Sequence, residues 1–227
     1  MNNITQKPIY SLLIGAFTMA LLAGCIVQVD ANATSKKGIA DGGNFSSVNK
    51  SLTVKSGQTI GNASSVNGSL TIGDNVQANK ITSVNGRLRV GENVTATKLS
   101  SVNGKLSADE GLNVSEEVTT VNGKIQLSKN SEIGGKVATV NGTIELKNVD
   151  VGGNVETING NINLLDNTIV DGDIVFGNKN SKNYYNGPDP ILSIESGSNV
   201  KGDIILRRPV DLEIEDEDLR SKVVIEY

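Results

Sequence analysis

A tetrapeptide that recurs every 18 or 19 residues constrains the fold of this 227-residue chain more than any other feature. It reads Ser/Thr-Val/Ile-Asn-Gly, and its asparagines are Asn67, Asn85, Asn103, Asn122, Asn141 and Asn159. A first copy at Asn49 ends in Lys50, and the alignment places Asn178 and then Arg208 in the same column. Self-similarity with this period indicates a solenoid in which each repeat stacks on its neighbours.

Apolar residues keep the phase of the asparagines. They occur three and five positions after each one, as in Leu88 and Val90, and no 3.6-residue period appears beyond the N-terminal segment. Aromatic residues are only 3% of the chain, so Val, Ile, Leu and Ala must fill the core. The sequence therefore predicts an all-β, single-domain, three-sided and right-handed parallel β-helix of about nine coils over residues 38–214, capped by residues 215–227.

The repeated asparagines are predicted to form a structural ladder of side-chain amide hydrogen bonds. We expect it inside the rod, at a corner where Asn and Gly tolerate left-handed backbone, with Arg208 at its end reaching solvent. The Val or Ile before each asparagine is interpreted as core, and an exposed partner-binding stripe is the alternative. The predicted ladder comprises Asn49, Asn67, Asn85, Asn103, Asn122, Asn141, Asn159 and Asn178.

One coil carries an insertion. The step from Asn178 to Arg208 is 30 residues, which leaves about 12 extra residues near positions 179–190. This segment holds Tyr184 and Tyr185, two of the four tyrosines of the chain. Loops on rigid scaffolds often bind partners, and tyrosine suits recognition, so the segment is a candidate partner-binding loop. A tolerated surface insertion is the alternative.

Candidate chemistry is sparse. The chain has no His and one Cys, which removes the commonest general base, the commonest zinc ligand and any intrachain disulfide. Asp173 and Asp203 occupy equivalent positions in neighbouring coils and are weak candidates for a cation site, with a solvated corner as the favoured alternative. We predict no catalytic residue, no cofactor and, at a net charge of -4, no nucleic-acid partner.

The N-terminal segment predicts the cellular location of the protein. Lys7 precedes an apolar run over residues 11–23, which ends in Leu22-Ala23-Gly24-Cys25. This arrangement resembles the lipobox of bacterial lipoproteins. The resemblance implies removal of residues 1–24, acylation of Cys25 and a lipidated flexible tether over residues 25–37. Because residue 26 is Ile, the resemblance also implies an anchor in the outer membrane of the cell envelope. We expect the protein to lie on the periplasmic face of that membrane.

The repeat and the phrase Leu192-Ser-Ile-Glu-Ser-Gly-Ser-Asn-Val-Lys-Gly-Asp-Ile204 resemble bactofilins, the polymer-forming β-helical proteins of bacteria. The Ser-Val-Asn-Gly series is more similar to uncharacterised repeat lipoproteins related to them. The resemblance implies a structural or interaction protein that can self-associate or bind an envelope protein or glycan. The alternative is a polysaccharide-binding β-helix, or a polysaccharide-cleaving lyase or hydrolase.

Overall fold

Backbone hydrogen bonds between successive coils wind the chain into a parallel β-solenoid of about nine turns. The computed structural model describes residues 42–177 and 188–227. Almost every regular element in these ranges is a short strand, and the prediction of an all-β solenoid is confirmed. The three-sided cross-section and the right-handed winding stay predictions.

The strands are mostly two to five residues long, and two of them reach nine residues. In chain order they are β1 Phe45–Ser47, β2 Leu52–Val54, β3 Ala63–Ser65, β4 Leu70–Ile72, β5 Gln77–Asn85, β6 Leu88–Val90, β7 Thr95–Asn103, β8 Leu106–Ala108, β9 Asn113–Val114, β10 Val118–Asn122, β11 Ile125–Leu127, β12 Ser131–Ile133, β13 Val137–Asn141, β14 Ile144–Lys147, β15 Val149–Val151, β16 Val155–Thr157, β17 Ile162–Leu165, β18 Ile169–Val170, β19 Ile174–Phe176, β20 Ile191–Ile194, β21 Asn199–Val200, β22 Ile204–Leu206, β23 Asp211–Ile214 and β24 Val223–Ile225. One helical turn, α1, spans Glu217–Arg220.

The strands pair in three parallel stacks. The first stack carries the repeated tetrapeptide and runs β1-β3-β5-β7-β10-β13-β16-β19-β22-β24. The second holds nine strands, β2-β4-β6-β8-β11-β14-β17-β20-β23, and we number the coils 1 to 9 after them. The third runs β9-β12-β15-β18-β21 and is continued towards the N-terminus by the first residues of β7 and β5.

The pairing register follows the sequence alignment, including the insertion. Leu88 lies opposite Leu106, which is the 18-residue step of the regular coils. Across the insertion, Ile162 pairs with Leu192 and Ile174 pairs with Ile204, both 30 residues on. The predicted alignment of the last coils is therefore confirmed, and the extra residues leave the register of the following strands intact.

One apolar core runs the length of the rod. Alternation within the three-residue strands turns their first and third side chains inward, as Leu70 and Ile72 show. Like side chains then stack on each other from coil to coil. Phe176 is the largest fully buried side chain and the rest of the core is almost entirely Val, Leu, Ile and Ala, as the composition requires.

The left-handed corner lies elsewhere than predicted. Of the ladder asparagines in the described residues, only Asn49 has a positive φ, of 64°. Most of the positive-φ residues form a column between the second and third stacks, where the chain turns just after the second-stack strand, although the tetrapeptide glycines Gly86, Gly104 and Gly142 also have positive φ, of 147–151°. Asn and Gly, which adopt this conformation at low cost, occupy every position of it: Gly57, Asn75, Asn93, Gly111, Asn130, Asn148, Asn167 and Gly197.

The glycine of the tetrapeptide is required by close backbone contact. A Cβ on Gly123 would lie 2.0 Å from the carbonyl oxygen of Gly104, and one on Gly104 would lie 2.1 Å from that of Gly86. The same column begins with Lys50 in the first described coil. A side chain is tolerated there because no described coil lies beneath it, whereas Gly68 already sits over the Lys50 carbonyl.

The C-terminal end of the rod carries α1. The Asp216 side chain caps this turn by accepting hydrogen bonds from the backbone N–H groups of Asp218 and Leu219. Leu219 is buried against the core at 3% exposure. The acidic residues around it keep the sheet edge formed by β23 polar.

We expect Gly123→Ala to lower the free energy of unfolding by about 1–3 kcal/mol, because its methyl group would overlap a backbone oxygen that is fixed by the stack. For a domain of this size the melting temperature should fall by roughly 3–10 °C. The measurement is thermal unfolding followed by far-ultraviolet circular dichroism.

Gly57→Asn is the matched control. Gly57 has a φ of 74°, no atom lies within 4 Å of the place that a Cβ would occupy, and asparagine fills the same column at Asn75 and Asn93. Its melting temperature should stay near that of the wild type. Equal melting temperatures for Gly123→Ala and the wild type would contradict the close packing of the glycine column.

Candidate interaction surfaces

The repeated asparagines form a continuous hydrogen-bonded ladder along the first stack. The Nδ2 group of each donates to the Oδ1 atom of the asparagine one coil before it, at 2.7–2.9 Å. The six bonds join Asn49, Asn67, Asn85, Asn103, Asn122, Asn141 and Asn159. Parallel pairing in a single register is what brings like side chains to this spacing.

The ladder lies on the surface of the rod, and the expectation of an internal ladder is wrong. Its members from Asn49 to Asn141 are exposed, and Asn159 is half-buried. The reason is local: each asparagine sits at the end of its strand, where the chain turns, and its side chain leaves the core. Each amide has a second N–H that the ladder does not use, so the row also offers donors to solvent or a ligand.

Arg208 closes the ladder and is buried, which corrects the expectation that it reaches solvent. Its side chain is 3% exposed. The Nη1 group donates to the Asn159 Oδ1 atom at 2.9 Å and to the Ile158 carbonyl at 3.0 Å. The Asp189 carboxylate lies 3.8 Å from Nη2 and offsets the charge.

The apolar stripe before the asparagines is separate from the core. The interpretation of these residues as core is therefore wrong for the members from Val48 to Val121. Val48 is 61% exposed, and Val66, Val84, Val102 and Val121 are half-buried. Only the C-terminal members, Val140 and Ile158, are buried, and they form a small cluster of their own with Val121. The stripe and the ladder together give the first stack a regular amide and aliphatic surface.

The first residue of the tetrapeptide points inward and forms a column of buried hydroxyl groups. Its members in the middle coils are Ser65, Ser83, Ser101, Thr120, Thr139 and Thr157. Some of these hydroxyls form a hydrogen bond within their own coil, as Ser65 does by donating to the Gly68 carbonyl at 2.9 Å. Within the described residues, the hydroxyls of Ser101, Thr120 and Thr157 have no hydrogen-bond partner.

Asp173 and Asp203 belong to a different corner column, in which a side-chain oxygen accepts the backbone N–H of the next coil. Asn154 accepts from the N–H of Asp173, and Asp173 from that of Asp203, each at 2.9 Å. Asp171 is paired with Lys201 at 2.7 Å. Within the described residues no group of three or more side chains has the arrangement of a metal site. This geometry supports a structural role for Asp173.

Charge is segregated along the rod, a feature that the repeated motif does not reveal. Residues 42–108 carry seven Lys or Arg and two Asp or Glu, whereas the described residues from 109 onward carry nine and 21. The outward side of the second stack, which we call the graded face, shows this most clearly. The charge gradient is visible in the sequence when the outward positions are compared from coil to coil. A search for columns of identical residues does not reveal it.

Four sequence-predicted residues lie outside the described ranges. They are Cys25, Asn178, Tyr184 and Tyr185.

The chain matches no protein-family model, no curated protein and no solved structure at a significant level. Across residues 42–177 and 188–227, no helix is long and apolar enough to span a bilayer.

We expect Asn103→Leu to lower the free energy of unfolding by about 1–2 kcal/mol, since it removes the bonds to Asn85 and from Asn122. Arg208→Leu should cost at least as much, because Ile158 and Asn159 then lose a buried charged donor. Chemical denaturation monitored by circular dichroism measures both changes.

Asn79→Leu provides the control, because Asn79 is exposed in the same strand as Asn85 and makes no described side-chain hydrogen bond. Its effect should stay within about 0.5 kcal/mol of zero. If Asn103→Leu proved as mild as Asn79→Leu, the ladder would contribute nothing to stability.

Proposed function

We propose that the chain is a lipid-anchored structural or interaction protein of the bacterial cell envelope that presents a rigid rod and self-associates. The observation that carries the proposal is the unbroken stacking of the coils. Nine second-stack strands at the sheet spacing of ~4.8 Å give a rod of roughly 40 Å. Such a shape suits a spacer or scaffold better than a protein that closes around a small substrate.

The surface chemistry supports an interaction role. The asparagine ladder fixes a row of amides at the coil spacing, and the valine stripe runs directly beside it. Because backbone pairing holds both rows, they present a preorganised surface whose binding would cost little side-chain entropy. Regular rows of this kind suit an extended or repetitive partner.

The sequence at the N-terminus supports the anchor. Cys25 is the only cysteine and completes the lipobox-like Leu22-Ala23-Gly24-Cys25 segment. Several acyl chains on one terminus hold a protein stably at a membrane, where a single chain does not. The proposed location is the periplasmic face of the outer membrane, with the tether over residues 25–37 joining the lipid to the rod.

Glycan binding is the second candidate, and the exposed ladder favours it over cleavage. The free N–H of each amide can donate to a sugar hydroxyl, and the row could follow an extended polysaccharide. Cleavage would need a base and an acid that converge on one bond. The carboxylates that the structure brings together at Glu195, Glu213 and Glu215 lie on the second stack and not along the ladder.

The anchor is tested by Cys25→Ser in the full-length chain. Mass spectrometry of the wild-type N-terminus should show acyl chains on residue 25, and the variant should lose them together with its recovery in the membrane fraction. Ile26→Asp is the matched control, which should keep the acyl mass while shifting the protein between membranes. An unacylated wild-type terminus would end the lipoprotein proposal.

The structural role is tested against the glycan role on the purified protein. Self-association should appear in sedimentation and electron microscopy without added ligand. Sedimentation with isolated cell-wall polysaccharide should deplete the protein from solution only if glycan binding is its function. In that case replacing Asn103 and Asn122 by Asp, which removes the free amide donors, should abolish depletion.

A further inference from the structure

We propose that the graded face pairs with the same face of a second copy in an antiparallel, two-fold arrangement. The inference rests on the proposed function, since it names the partner and the surface for self-association. Its basis is the separation of cations and carboxylates on the outward side of the second stack.

The cationic end of the face lies in coils 3 and 4. Arg87 and Arg89 flank Leu88 of β6, and Lys105 precedes Leu106 of β8. The register that pairs Leu88 with Leu106 places Lys105 beside Arg87, one strand spacing away. All three side chains are exposed, and none makes an ion pair within the described part of the chain. Their mutual repulsion favours an anionic partner.

The acidic end lies in coils 8 and 9. Ser193 of β20 pairs with Glu213 of β23, so Glu195 and Glu215 lie beside each other just beyond the strand ends. These three carboxylates, with Ile194, Ile214 and Arg220, line a recess in the surface. Arg220 directs its Nε group to the Ile214 carbonyl at 2.6 Å, and its side chain remains about half exposed. The recess therefore retains excess negative charge that would accept an Arg or Lys side chain.

The two ends are placed for self-complementary pairing. A two-fold axis through coil 6 brings coil 3 of one copy against coil 9 of the other, and coil 4 against coil 8. Each copy then contributes both ends, so the interface contains two equivalent sets of opposite charges. Because the axis runs along the strands, each residue faces the same column of the partner, so Arg87 would face the partner's Asp211 and Arg89 the partner's Glu213.

The centre of the face is already neutral. Glu145 in coil 6 accepts a hydrogen bond from Lys124 at 2.7 Å and one from Gln126 at 2.9 Å. Its carboxylate would otherwise repel its own copy across the axis. The flanking outward residues, Thr143, Asn161 and Asn163, are uncharged and small enough to let the two sheets approach.

The expected pairing is weak and electrostatic. Seven coils at ~4.8 Å and a strand width of roughly 12 Å give about 400 Å² per partner, near the lower limit for specific interfaces. Charge complementarity must then supply most of the specificity, and salt should weaken it. We expect a dimer at tens of micromolar protein in about 50 mM salt and a monomer in about 0.5 M salt.

The test reverses the charges at each end of the face in separate variants and then mixes the two variants. Analytical ultracentrifugation of the full-length chain in a non-ionic detergent measures the dimerisation. Arg87→Glu with Arg89→Glu should weaken pairing by at least about 100-fold, and so should Asp211→Arg with Glu213→Arg. An equimolar mixture of the two variants should pair again, because each then meets opposite charges at both ends. Lys80→Glu with Lys129→Glu is the control, with the same change in charge at exposed positions outside the face.

Three outcomes would overturn the proposal. The first is a wild type that stays monomeric in low salt, and the second is a dimer that neither reversal weakens. The third is a monomeric wild type whose binding to phosphatidylglycerol vesicles is lost on reversal of Arg87 and Arg89, which would assign the cations to a membrane. A monomeric wild type would also end the self-association part of the proposed function, whereas a dimer that neither reversal weakens would end only the pairing of the graded faces. Acylation of Cys25 is measured separately, so none of these results bears on the anchor.

Discussion

Parallel pairing in a fixed register is the interaction on which the rest of this structure depends. It places each residue directly over its counterpart one coil away, so any property of one position is repeated along the rod. A favourable contact between like residues is thereby multiplied, as with the asparagine amides, and an unfavourable one is multiplied as well. The tetrapeptide is the sequence consequence of this constraint: an inward hydroxyl, an outward aliphatic residue, a ladder amide and a glycine with no room for a Cβ.

Periodicity is sufficient to predict the solenoid, the coil count and the register across the insertion. It does not say which way a side chain points near a corner, because strand alternation stops where the chain turns. For that reason the sequence pattern favours an internal ladder and a core stripe, although Asn103 is exposed and Val102 half-buried. The left-handed corner escapes prediction for a related reason, since its column alternates between Asn and Gly, as in Gly57 and Asn75, and shows no single repeated letter.

Stacking also sets a limit on charge. A column of identical charges would place them about one strand spacing apart, close enough to repel strongly even near water. The structure avoids this at some positions by alternation, as with the Lys136–Glu156 and Lys124–Glu145 pairs between neighbouring coils. Arg87 and Lys105 depart from this pattern as adjacent cations without an ion-pair partner in the described residues, and so do the adjacent carboxylates Glu132 and Asp150.

The unneutralised cations of coils 3 and 4 lie on the same face as the unneutralised carboxylates of coils 8 and 9, so a second chain can neutralise both. The acids that would balance Arg87 and Arg89 are on the same face but about six coils away, roughly 29 Å along the rod, which is beyond screening distance at physiological salt. They cannot stabilise the cations within one molecule. A second rod laid antiparallel removes that distance, because the two-fold operation exchanges the ends of the face and brings each cation to the carboxylates of its partner.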